Sequence, residues 1–544
     1  MIGSFLAQST DAGASLMAQK LSYLTPEIAL FVTTCLAMVI GLSPKRAVRD
    51  FLPFLSVIGL TVAGLLAYTG PTMPDSPLGG LMPFAKTLIA AVGIPLALLM
   101  SGTVDRDYEN AVARGVPFDA IRSNRGEFYA FLLFSLTGLM LCASADDLIW
   151  LFLALELTSL PTYVMVSIST GRARSQEAGI KYFFLGAFGA AIFLFGFALI
   201  YGATGTTLLF GPAGEHTVTT AFATGGLGTI GLLGVILAFI GVCFKIAAVP
   251  MHFYTPDVYE GASTSVSAFL AFVPKTAGFI AIMLIMSAVG WTHGPTGDAL
   301  PEAVRLTLWI VAVLTMTFGN VLALLQKNIK RVLAYSSVAH SGYMLVGVIA
   351  GPGDGASIAS NGLGAVLFYT LCYGFMNMGA FAVLACLERG SGDEVETFED
   401  VRGLCAEKPV LGWVMVLCSA SLLGLPPLLG FWGKLYLFTA GISAGEYALV
   451  AVLGLNSAIA AFYYLKLIAG PLLEPAGEGV KGLRETGYVG RTIAATLSAA
   501  SVVALVPFVN TLAGAANDAA TPAEQVDSPD TDAAIAVPRS DDEA

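Results

Sequence analysis

The sequence is poor in charged residues. Asp, Glu, Lys and Arg make up only 12% of its 544 residues, whereas soluble domains carry about 25%. Because so few charges cannot cover a surface exposed to water, a soluble globular fold is excluded. Hydrophobic residues account for 56% of the chain, in blocks long enough to cross a bilayer core of about 30 Å, which takes about 20 residues. The composition therefore predicts an integral membrane protein.

Cysteine motifs and glycine-rich phosphate-binding motifs are missing as well. The seven cysteines are scattered, with no CxxC or Cys/His spacing, so the sequence supports neither a metal site nor a disulfide framework. No GxGxxG or GxxxxGK[ST] motif follows a predicted strand, which argues against nucleotide binding. We expect this chain to bind no cofactor, no metal and no nucleic acid.

The sequence does contain a series of apolar blocks separated by polar residues or by Gly and Pro. All should be helices, because lipid offers no partner to a backbone N–H or C=O group. An all-α integral membrane fold of about fourteen transmembrane helices follows, and an even number of spans places both termini on one side. The blocks lie near residues 25–43, 52–70, 84–101, 127–143, 147–169, 178–204, 226–250, 264–290, 306–326, 331–350, 362–387, 411–440, 447–470 and 491–512.

The positions of Lys and Arg test this topology, since basic residues gather in cytoplasmic connections. Connections that follow odd-numbered spans hold most of the 27 basic residues, whereas the opposite side holds only Lys20, Lys86, Arg305 and Arg539. A miscounted span would invert the pattern beyond the error, and the pattern does not invert. Both termini are therefore predicted to lie on the non-cytoplasmic side.

A few charged residues lie inside the apolar blocks. A charged side chain at bilayer depth costs about 2.5–3.5 kcal/mol on insertion scales, so each one needs a reason. A lysine near a helix end can extend its amine to the lipid headgroups, and for Lys181 this reading stays open beside a functional one. Lys275 and Glu156 lie near the middle of their spans, where a functional role is favoured. The residues are Glu156, Lys181, Lys245, Lys275 and Lys434.

The seventh and twelfth spans are predicted to be broken helices. Pro250 follows Lys245 in the seventh span, and Pro426 and Pro427 precede Lys434 in the twelfth. Proline removes a backbone donor and clashes with the preceding turn, so both helices should be interrupted. The breaks are five spans apart, as expected for two five-helix repeats that comprise spans 4–8 and 9–13. Because each repeat has an odd number of helices, the two copies have opposite orientations in the membrane. Paired interruptions of this kind point to a transport site.

The charges inside the spans suggest proton transfer. Burial disfavours the charged form of an amine, so a buried lysine can accept and release a proton near neutral pH, while a nearby carboxylate holds that proton in place. Glu156 near Lys245 would then form a switch, with Lys275 and Lys434 as further stations. His340 in the tenth span could bridge them because imidazole titrates near neutrality, although a lone histidine in a helix is more often a hydrogen-bonded core residue.

Several segments resemble the subunit N family of bacterial NADH–quinone oxidoreductase (complex I), the counterpart of mitochondrial subunit 2. The resemblance covers roughly residues 125–470, and together the segments are highly specific for the antiporter-like superfamily. It is weaker over the first 125 residues and the C-terminal tail. The segments are Leu155–Pro161, Ser175–Phe183, Phe244–Phe253, Thr255–Ser263, Asn328–Ser337 and Gly424–Lys434.

The resemblance implies a proton-translocating membrane-arm subunit with fourteen helices and no redox centre of its own. NAD(H), FMN, iron–sulfur clusters and quinone would be used by other subunits of the assembled complex. The partners would be an M-like antiporter-like subunit and small K-, J- and A-like subunits in the bacterial inner (plasma) membrane. Matched positions assign the proton-transfer path to Glu156, Lys181, Lys245, Lys275, His340 and Lys434.

Two other functions stay open. A subunit of a multisubunit cation/proton antiporter would share the fold and the buried lysines, although the segment Pro256–Gly261 favours subunit N. A structural membrane scaffold that has lost pumping would tolerate the removal of Lys245 and Glu156. Among the paralogous subunits, an M-like chain would carry Glu at position 434, and an L-like chain would extend into a long lateral helix.

The chain is expected to divide into five regions. Residues 1–124 form an N-terminal three-helix region with a cytoplasmic loop, residues 125–290 the first repeat, and residues 291–470 the second. Residues 471–512 hold the fourteenth helix. Residues 513–544 are rich in Asp and Glu among Ala, Pro and Ser, and such a composition cannot bury enough apolar surface to offset its ordering entropy, so a disordered acidic tail is predicted.

Overall fold

The computed structural model describes residues 20–73, 75–293, 298–389 and 393–522, and most of these are helical. A two-residue strand β1 (Leu387–Glu388) pairs antiparallel with β2 (Arg484–Glu485). The α-helices are α1 (Thr25–Gly41), α2 (Arg46–Arg49), α3 (Leu52–Tyr68), α4 (Leu81–Leu99), α5 (Arg106–Ala113), α6 (Arg125–Ala143), α7 (Leu148–Ile168), α8 (Ala173–Thr204), α9 (Val218–Gly225), α10 (Gly228–Val242), α11 (Tyr254–Gly261), α12 (Thr264–Val289), α13 (Glu302–Leu324), α14 (Ile329–Ala350), α15 (Gly362–Cys386), α16 (Leu404–Glu407), α17 (Pro409–Leu423), α18 (Leu429–Ser443), α19 (Tyr447–Leu473), α20 (Glu478–Lys481), α21 (Val489–Ala504) and α22 (Val509–Ala520).

Many of these helices are long and apolar enough to cross a membrane. Within the described ranges there are ten, or up to twelve if each of two bent helix pairs counts as one span. Helices α1 and α10 are apolar too, but they are only 17 and 15 residues long. A mostly helical membrane fold is therefore confirmed, with ten to twelve candidate spans in the described residues.

Both predicted helix breaks are present. Helix α10 ends at Val242, and the chain runs through successive turns before α11 begins at Tyr254. Helix α17 ends at Leu423, Gly424 adopts a left-handed conformation with φ of 92°, and α18 begins at Leu429. The prolines within each break cannot continue a helix. Irregular backbone at this depth is tolerated where protein surrounds it, and residues 243–249 are all buried.

Three helices form the centre of the bundle. The most apolar stretches of α12, α14 and α15 are completely buried, whereas only 33% of the corresponding stretch of α8 is buried. A helix that is apolar on all sides suits such a central position. The outer surface of α8 carries large exposed side chains such as Phe184, Phe188 and Phe195. The bundle thus directs its apolar surface outward and places Lys275 of α12 and His340 of α14 in its middle.

Glycines bring α8 close to the first broken span. A Cβ atom at Gly196 would lie 2.3 Å from the backbone nitrogen of Ala238, and one at Gly241 would lie 2.4 Å from that of Phe193. Only glycine permits so close an approach, as in many pairs of membrane helices. This contact holds the end of α10 against α8, and it fixes the position of Lys245 just beyond that end.

The C-terminal region differs from the prediction. The expected span 491–512 ends as α21 at Ala504, and around Pro507 the chain bends by 49° into α22. Residues 513–520 were assigned to a disordered tail, and this was wrong, because they continue α22 and bury Ala513, Ala516 and Ala520 against α15 and α4. Alanines on one helix face pack tightly without large apolar side chains. The rest of the predicted tail, residues 523–544, lies outside the described residues.

Candidate functional site

Lys245 and Glu156 form an ion pair inside the bundle. Lys245 lies in the break after α10, and Glu156 lies in the middle of α7; Lys245 Nζ is 3.0 Å from Glu156 Oε1. The amine also donates to Ser159 Oγ at 2.5 Å. The lysine side chain is 1% exposed and the glutamate side chain is 17% exposed, so low-dielectric surroundings strengthen their attraction. The pair that the sequence suggested is therefore assembled in the structure.

Lys275 lies in the adjacent helix without an acidic partner. Its Nζ donates to Ser337 Oγ at 2.7 Å and to the carbonyl oxygen of the same residue. The amine lies 5.0 Å from the centre of the Tyr373 ring, within cation–π range. No carboxylate in the described part of the chain forms an ion pair with it. Lys275 is thus a buried amine held by neutral groups.

Close packing brings Lys275 near the first pair. Gly278 is one helical turn beyond Lys275, and a Cβ atom there would lie 3.1 Å from the Cβ atom of Lys245. Ser341 of α14 donates through Oγ to the carbonyl oxygen of Ile246 at 2.5 Å, which ties α14 to the same break. The break, α12 and α14 therefore meet where the two lysines lie.

His340 is bonded to tyrosines on both sides of its ring. Nδ1 lies 2.5 Å from the hydroxyl group of Tyr369, and Nε2 lies 2.8 Å from that of Tyr464. The ring centre is 5.0 Å from the ring centre of Tyr373, which also contacts Lys275. Tyr373 therefore lies between Lys275 and His340, and its own buried hydroxyl group has no hydrogen-bond partner among the described residues.

Lys434 lies one to two turns into α18, the helix that follows the second break. Its Nζ donates to the carbonyl oxygens of Leu422 at 3.0 Å and Leu423 at 2.9 Å, which are the last residues of α17. The carboxyl end of a helix carries partial negative charge and favours a cation. The amine lies 5.3 Å from the centre of the Tyr343 ring. Neighbouring Gly433 packs against Tyr369, the partner of His340.

Buried titratable groups and hydroxyl groups therefore follow one another through the bundle. We call the following residues the buried line: Glu156, Lys245, Lys275, Tyr373, His340, Tyr369 and Lys434. Sequence reasoning missed the tyrosines and Ser337. A signal was present, because Tyr369 and Tyr373 are four residues apart and share one face of α15. Serine and tyrosine are common in helices, however, and nothing local marks these as partners of a lysine.

Lys181 is placed differently from the other candidates. Its side chain is 45% exposed, and its Nζ lies 2.8 Å from Glu177 and 3.2 Å from Asp257. Asp257 also accepts from Arg331 at 3.0 Å, so Lys181 joins a cluster of surface ion pairs. The structure pairs it with Glu177 and Asp257 and not with Glu156, whose amine partner is Lys245.

A fourth buried lysine lies at the beginning of α14. Lys330 is 0% exposed, and its Nζ donates to Glu394 Oε2 at 2.9 Å and to the carbonyl oxygen of Ala262 at 2.7 Å. Glu394 also accepts from the backbone N–H of Thr264 at 3.0 Å, at the beginning of α12. Burial opposes ionisation of Glu394, but Lys330 and Thr264 outweigh it and hold the pKa of this carboxyl below its usual value. This pair joins α12 and α14 to the loop after α15.

Within the described ranges, no group of three His, Cys, Asp or Glu side chains is positioned to hold a metal ion.

Comparison with known proteins identifies the family. The profile described as NADH:quinone oxidoreductase/Mrp antiporter, TM, matches residues 145–460. The NADH-quinone oxidoreductase subunit N of Trichlorobacter lovleyi is 37% identical over 495 residues, which cover 90% of this chain and 95% of that protein. The chain belongs to the NADH-quinone oxidoreductase subunit N family. Subunit N of Rhodospirillum rubrum is 36% identical, covering 85% of this chain and 89% of that protein.

Chains of several solved membrane complexes are similar to this chain. A chain of respiratory complex I from Thermus thermophilus matches with a TM-score of 0.68 at 31% identity, covering 89% of this chain and 97% of that one. A chain of the archaeal membrane-bound sulfane sulfur reductase matches with a TM-score of 0.72 at 22% identity, covering 93% and 99%. A chain of the Mrp complex from Dietzia sp. gives 0.70 at 20% identity, covering 92% and 97%. The last two similarities concern the fold alone.

Proposed function

We propose that this subunit N family member translocates protons in the membrane arm of NADH–quinone oxidoreductase, coupled to quinone reduction in other subunits. The observation that carries the proposal is the buried line. Burying each lone amine in apolar surroundings costs several kcal/mol. A methionine at the same position would pack equally well without this cost, so stability does not explain the lysines. Proton transfer gives a reason for keeping them.

The pair of Glu156 and Lys245 acts as the switch in this proposal. While the two side chains are 3.0 Å apart, the carboxylate stabilises the protonated amine. Movement of either side chain away from the other removes that stabilisation, so the lysine releases its proton toward Lys275. Tyr373, His340 and Tyr369 lie between Lys275 and Lys434, and each carries a group that can both donate and accept a hydrogen bond, so we propose that the proton passes along them.

We also infer fourteen spans with inverted repeats at spans 4–8 and 9–13, divided at the residue boundaries given above. Matching details support the repeats. Asp147 caps α7 by accepting from Ile149 at 2.7 Å, and Asn328 caps α14 by accepting from Arg331 at 3.3 Å. These helices are the fifth and tenth spans, and each copy has its broken helix two spans later. The basic residues then place both termini outside the cytoplasm.

The electron carriers belong to other subunits in this proposal. NAD(H), FMN, iron–sulfur clusters and quinone would be bound there, and the partners of this chain would be an M-like subunit and small K-, J- and A-like subunits in the inner membrane. The similarity to chains of multi-subunit membrane complexes supports such an assembly. A multisubunit cation/proton antiporter is the less favoured alternative, because identity to the Mrp chain is 20%, against 37% for a subunit N.

The test is quinone-linked proton pumping in membrane vesicles that contain the assembled complex. We expect Lys245→Ala, Lys434→Ala and Glu156→Ala each to lower pumping without preventing assembly. Lys466→Ala is the matched control, because Lys466 is an exposed lysine in α19 whose amine lies 4.5 Å from the centre of the neighbouring Phe462 ring. Full pumping in all three variants would refute the proton path and favour a non-pumping scaffold. Pumping of sodium without any redox requirement would favour the antiporter.

Topology has a separate test. We expect a reporter domain fused after residue 544 to lie on the non-cytoplasmic side and to be active there. Cytoplasmic activity would show that a span has been miscounted.

A further inference from the structure

A cavity of about 370 Å³ lies where four helices come together, away from the buried line. Helices α3, α6 and α21 begin beside it, and α4 ends beside it. A helix begins with free N–H groups and a partial positive charge, which favours anions. Helices α6 and α21 contribute such ends, whereas α3 continues directly from α2, whose carbonyl oxygens accept from Asp50 and Phe51. We call this space the basic cavity. None of its lining residues belongs to the buried line.

The side chains of the basic cavity are positively charged in sum. Arg46, Arg49 and Arg125 line it, with Asp50 as the acidic lining residue. Arg49 is fully buried and bonded to Glu109 through Nε at 2.8 Å and Nη2 at 2.7 Å. Arg125 donates through Nη1 to Asp50 at 2.5 Å, while half-exposed Arg46 lies 3.6 Å from the same carboxylate. Three arginines thus share two carboxylates, and one positive charge remains.

A buried hydroxyl group in the same cavity lacks a partner. Tyr129 lines the cavity and is 2% exposed. Its hydroxyl group has no partner within hydrogen-bonding geometry in the part of the chain that the structure describes, and the nearby Ser101 hydroxyl donates to the carbonyl oxygen of Leu98 at 2.7 Å. Buried polar groups nearly always have a partner. A ligand that brings an oxygen atom into the cavity would supply one.

The rim of the cavity is apolar on one side. Phe54 at the start of α3 is 47% exposed, and Val489 at the start of α21 is 68% exposed. Both lie on apolar helices, so an apolar part of a ligand can pack against this side of the cavity. The side toward the preceding loop holds Asp50 and Arg46, which lie one and two helical turns before Phe54 and are both exposed. A ligand that fits both sides has an anionic end and an apolar end.

We propose that the basic cavity binds the phosphate headgroup of an anionic phospholipid, with its acyl chains along Phe54 and Val489. Arg46 and Arg125 contact the phosphate oxygens through charge-assisted hydrogen bonds, and the Tyr129 hydroxyl group donates another. Basic pockets between helix ends on the predicted cytoplasmic side suit such headgroups. A volume of about 370 Å³ accommodates a headgroup, while the acyl chains remain in the bilayer. This assignment does not depend on proton transfer.

The experiment measures lipid retention by the assembled complex. The purified complex is delipidated, titrated with phosphatidylglycerol or with phosphatidylcholine, and analysed by native mass spectrometry. We expect tight retention of phosphatidylglycerol and an affinity about tenfold lower for the Arg46→Gln and Tyr129→Phe variants, because each loses one hydrogen bond to a charged group. Arg114→Gln is the matched control, since Arg114 is an exposed arginine of the same region that does not line the cavity.

The outcomes separate the possible ligands. Equal retention of the two lipids, or equal affinity in all variants, would overturn the proposal. If millimolar inorganic phosphate displaced phosphatidylglycerol completely, the cavity would be a site for free phosphate, and the lipid assignment would also be overturned. Retained quinone reductase activity shows that each variant is assembled. Tyr129→Phe removes a single oxygen atom, so the proposal stays testable even if the arginine variant assembles poorly.

Discussion

The same substitution at two buried lysines should change stability in opposite directions. Lys275 is 3% exposed and bonded only to neutral groups of Ser337, whereas Lys330 is 0% exposed and paired with Glu394 at 2.9 Å. Methionine has a similar length and no charge, so Lys→Met removes the amine and leaves most of the packing. Comparing Lys275→Met with Lys330→Met distinguishes a buried amine that stabilises the fold from one that serves function.

The expected change in stability depends on which groups lose their partner when each amine is removed. At Lys275 the variant loses hydrogen bonds worth about 1–3 kcal/mol but avoids a burial cost of several kcal/mol for the charged amine. We expect Lys275→Met to be about 1–3 kcal/mol more stable. Removing one partner of a buried pair costs about 3–5 kcal/mol. Because Glu394 is 26% exposed and keeps the Thr264 hydrogen bond, Lys330→Met should be about 2–4 kcal/mol less stable.

The assay is denaturant unfolding of the full chain in mixed detergent micelles, followed by helical circular dichroism, together with proton pumping by the assembled complex. Lys275→Met should abolish pumping while it stabilises the chain. If both variants were destabilised equally, or if Lys275→Met pumped normally, the reasoning about unpaired amines would be refuted.

Three further predictions concern the ion pairs and the second helix break. A double-mutant cycle with Glu156→Gln and Lys245→Met should give a coupling energy of about 1–3 kcal/mol in the unfolding assay, and additive effects would contradict the 3.0 Å pair. The pKa of Glu394 is lowered in the folded chain. Ionised Glu394 therefore stabilises the folded chain fully at pH values above its pKa in the unfolded chain, which is about 4.3. This stabilisation is lost as the pH falls through the lower pKa of the folded chain. Glu394→Gln should therefore reduce the decrease in the free energy of unfolding that acid causes. An unchanged dependence on pH in this variant would argue against the ion pair. In Gly430→Ala the new Cβ atom would lie 2.1 Å from a carbonyl oxygen of the preceding half-helix; a loss of about 1–3 kcal/mol is expected, and a neutral effect would contradict the close packing at this break.

The membrane class, the helical fold, the two breaks and the titratable residues inside the spans could all be predicted from the sequence. These features depend on local information. A long apolar run has to be a helix in lipid, and a proline interrupts a helix wherever it stands in the interior. A lysine in such a run is unusual in any context. Lys245, Lys275 and Lys434 were therefore identifiable one at a time, without knowledge of their neighbours.

Only the tertiary structure determines which lysine side chains are buried and which groups they bind. Lys330 and Lys86 were expected in solvated loops or at the membrane boundary, yet both are almost completely buried, and Lys86 pairs with Glu27 at 2.7 Å. Lys181, in contrast, is half exposed. Whether a lysine is covered depends on which distant helices pack over it, and neither composition nor spacing encodes those contacts. The same holds for the hydroxyl groups beside Lys275 and His340, which become partners only because α12, α14 and α15 meet at the centre of the bundle.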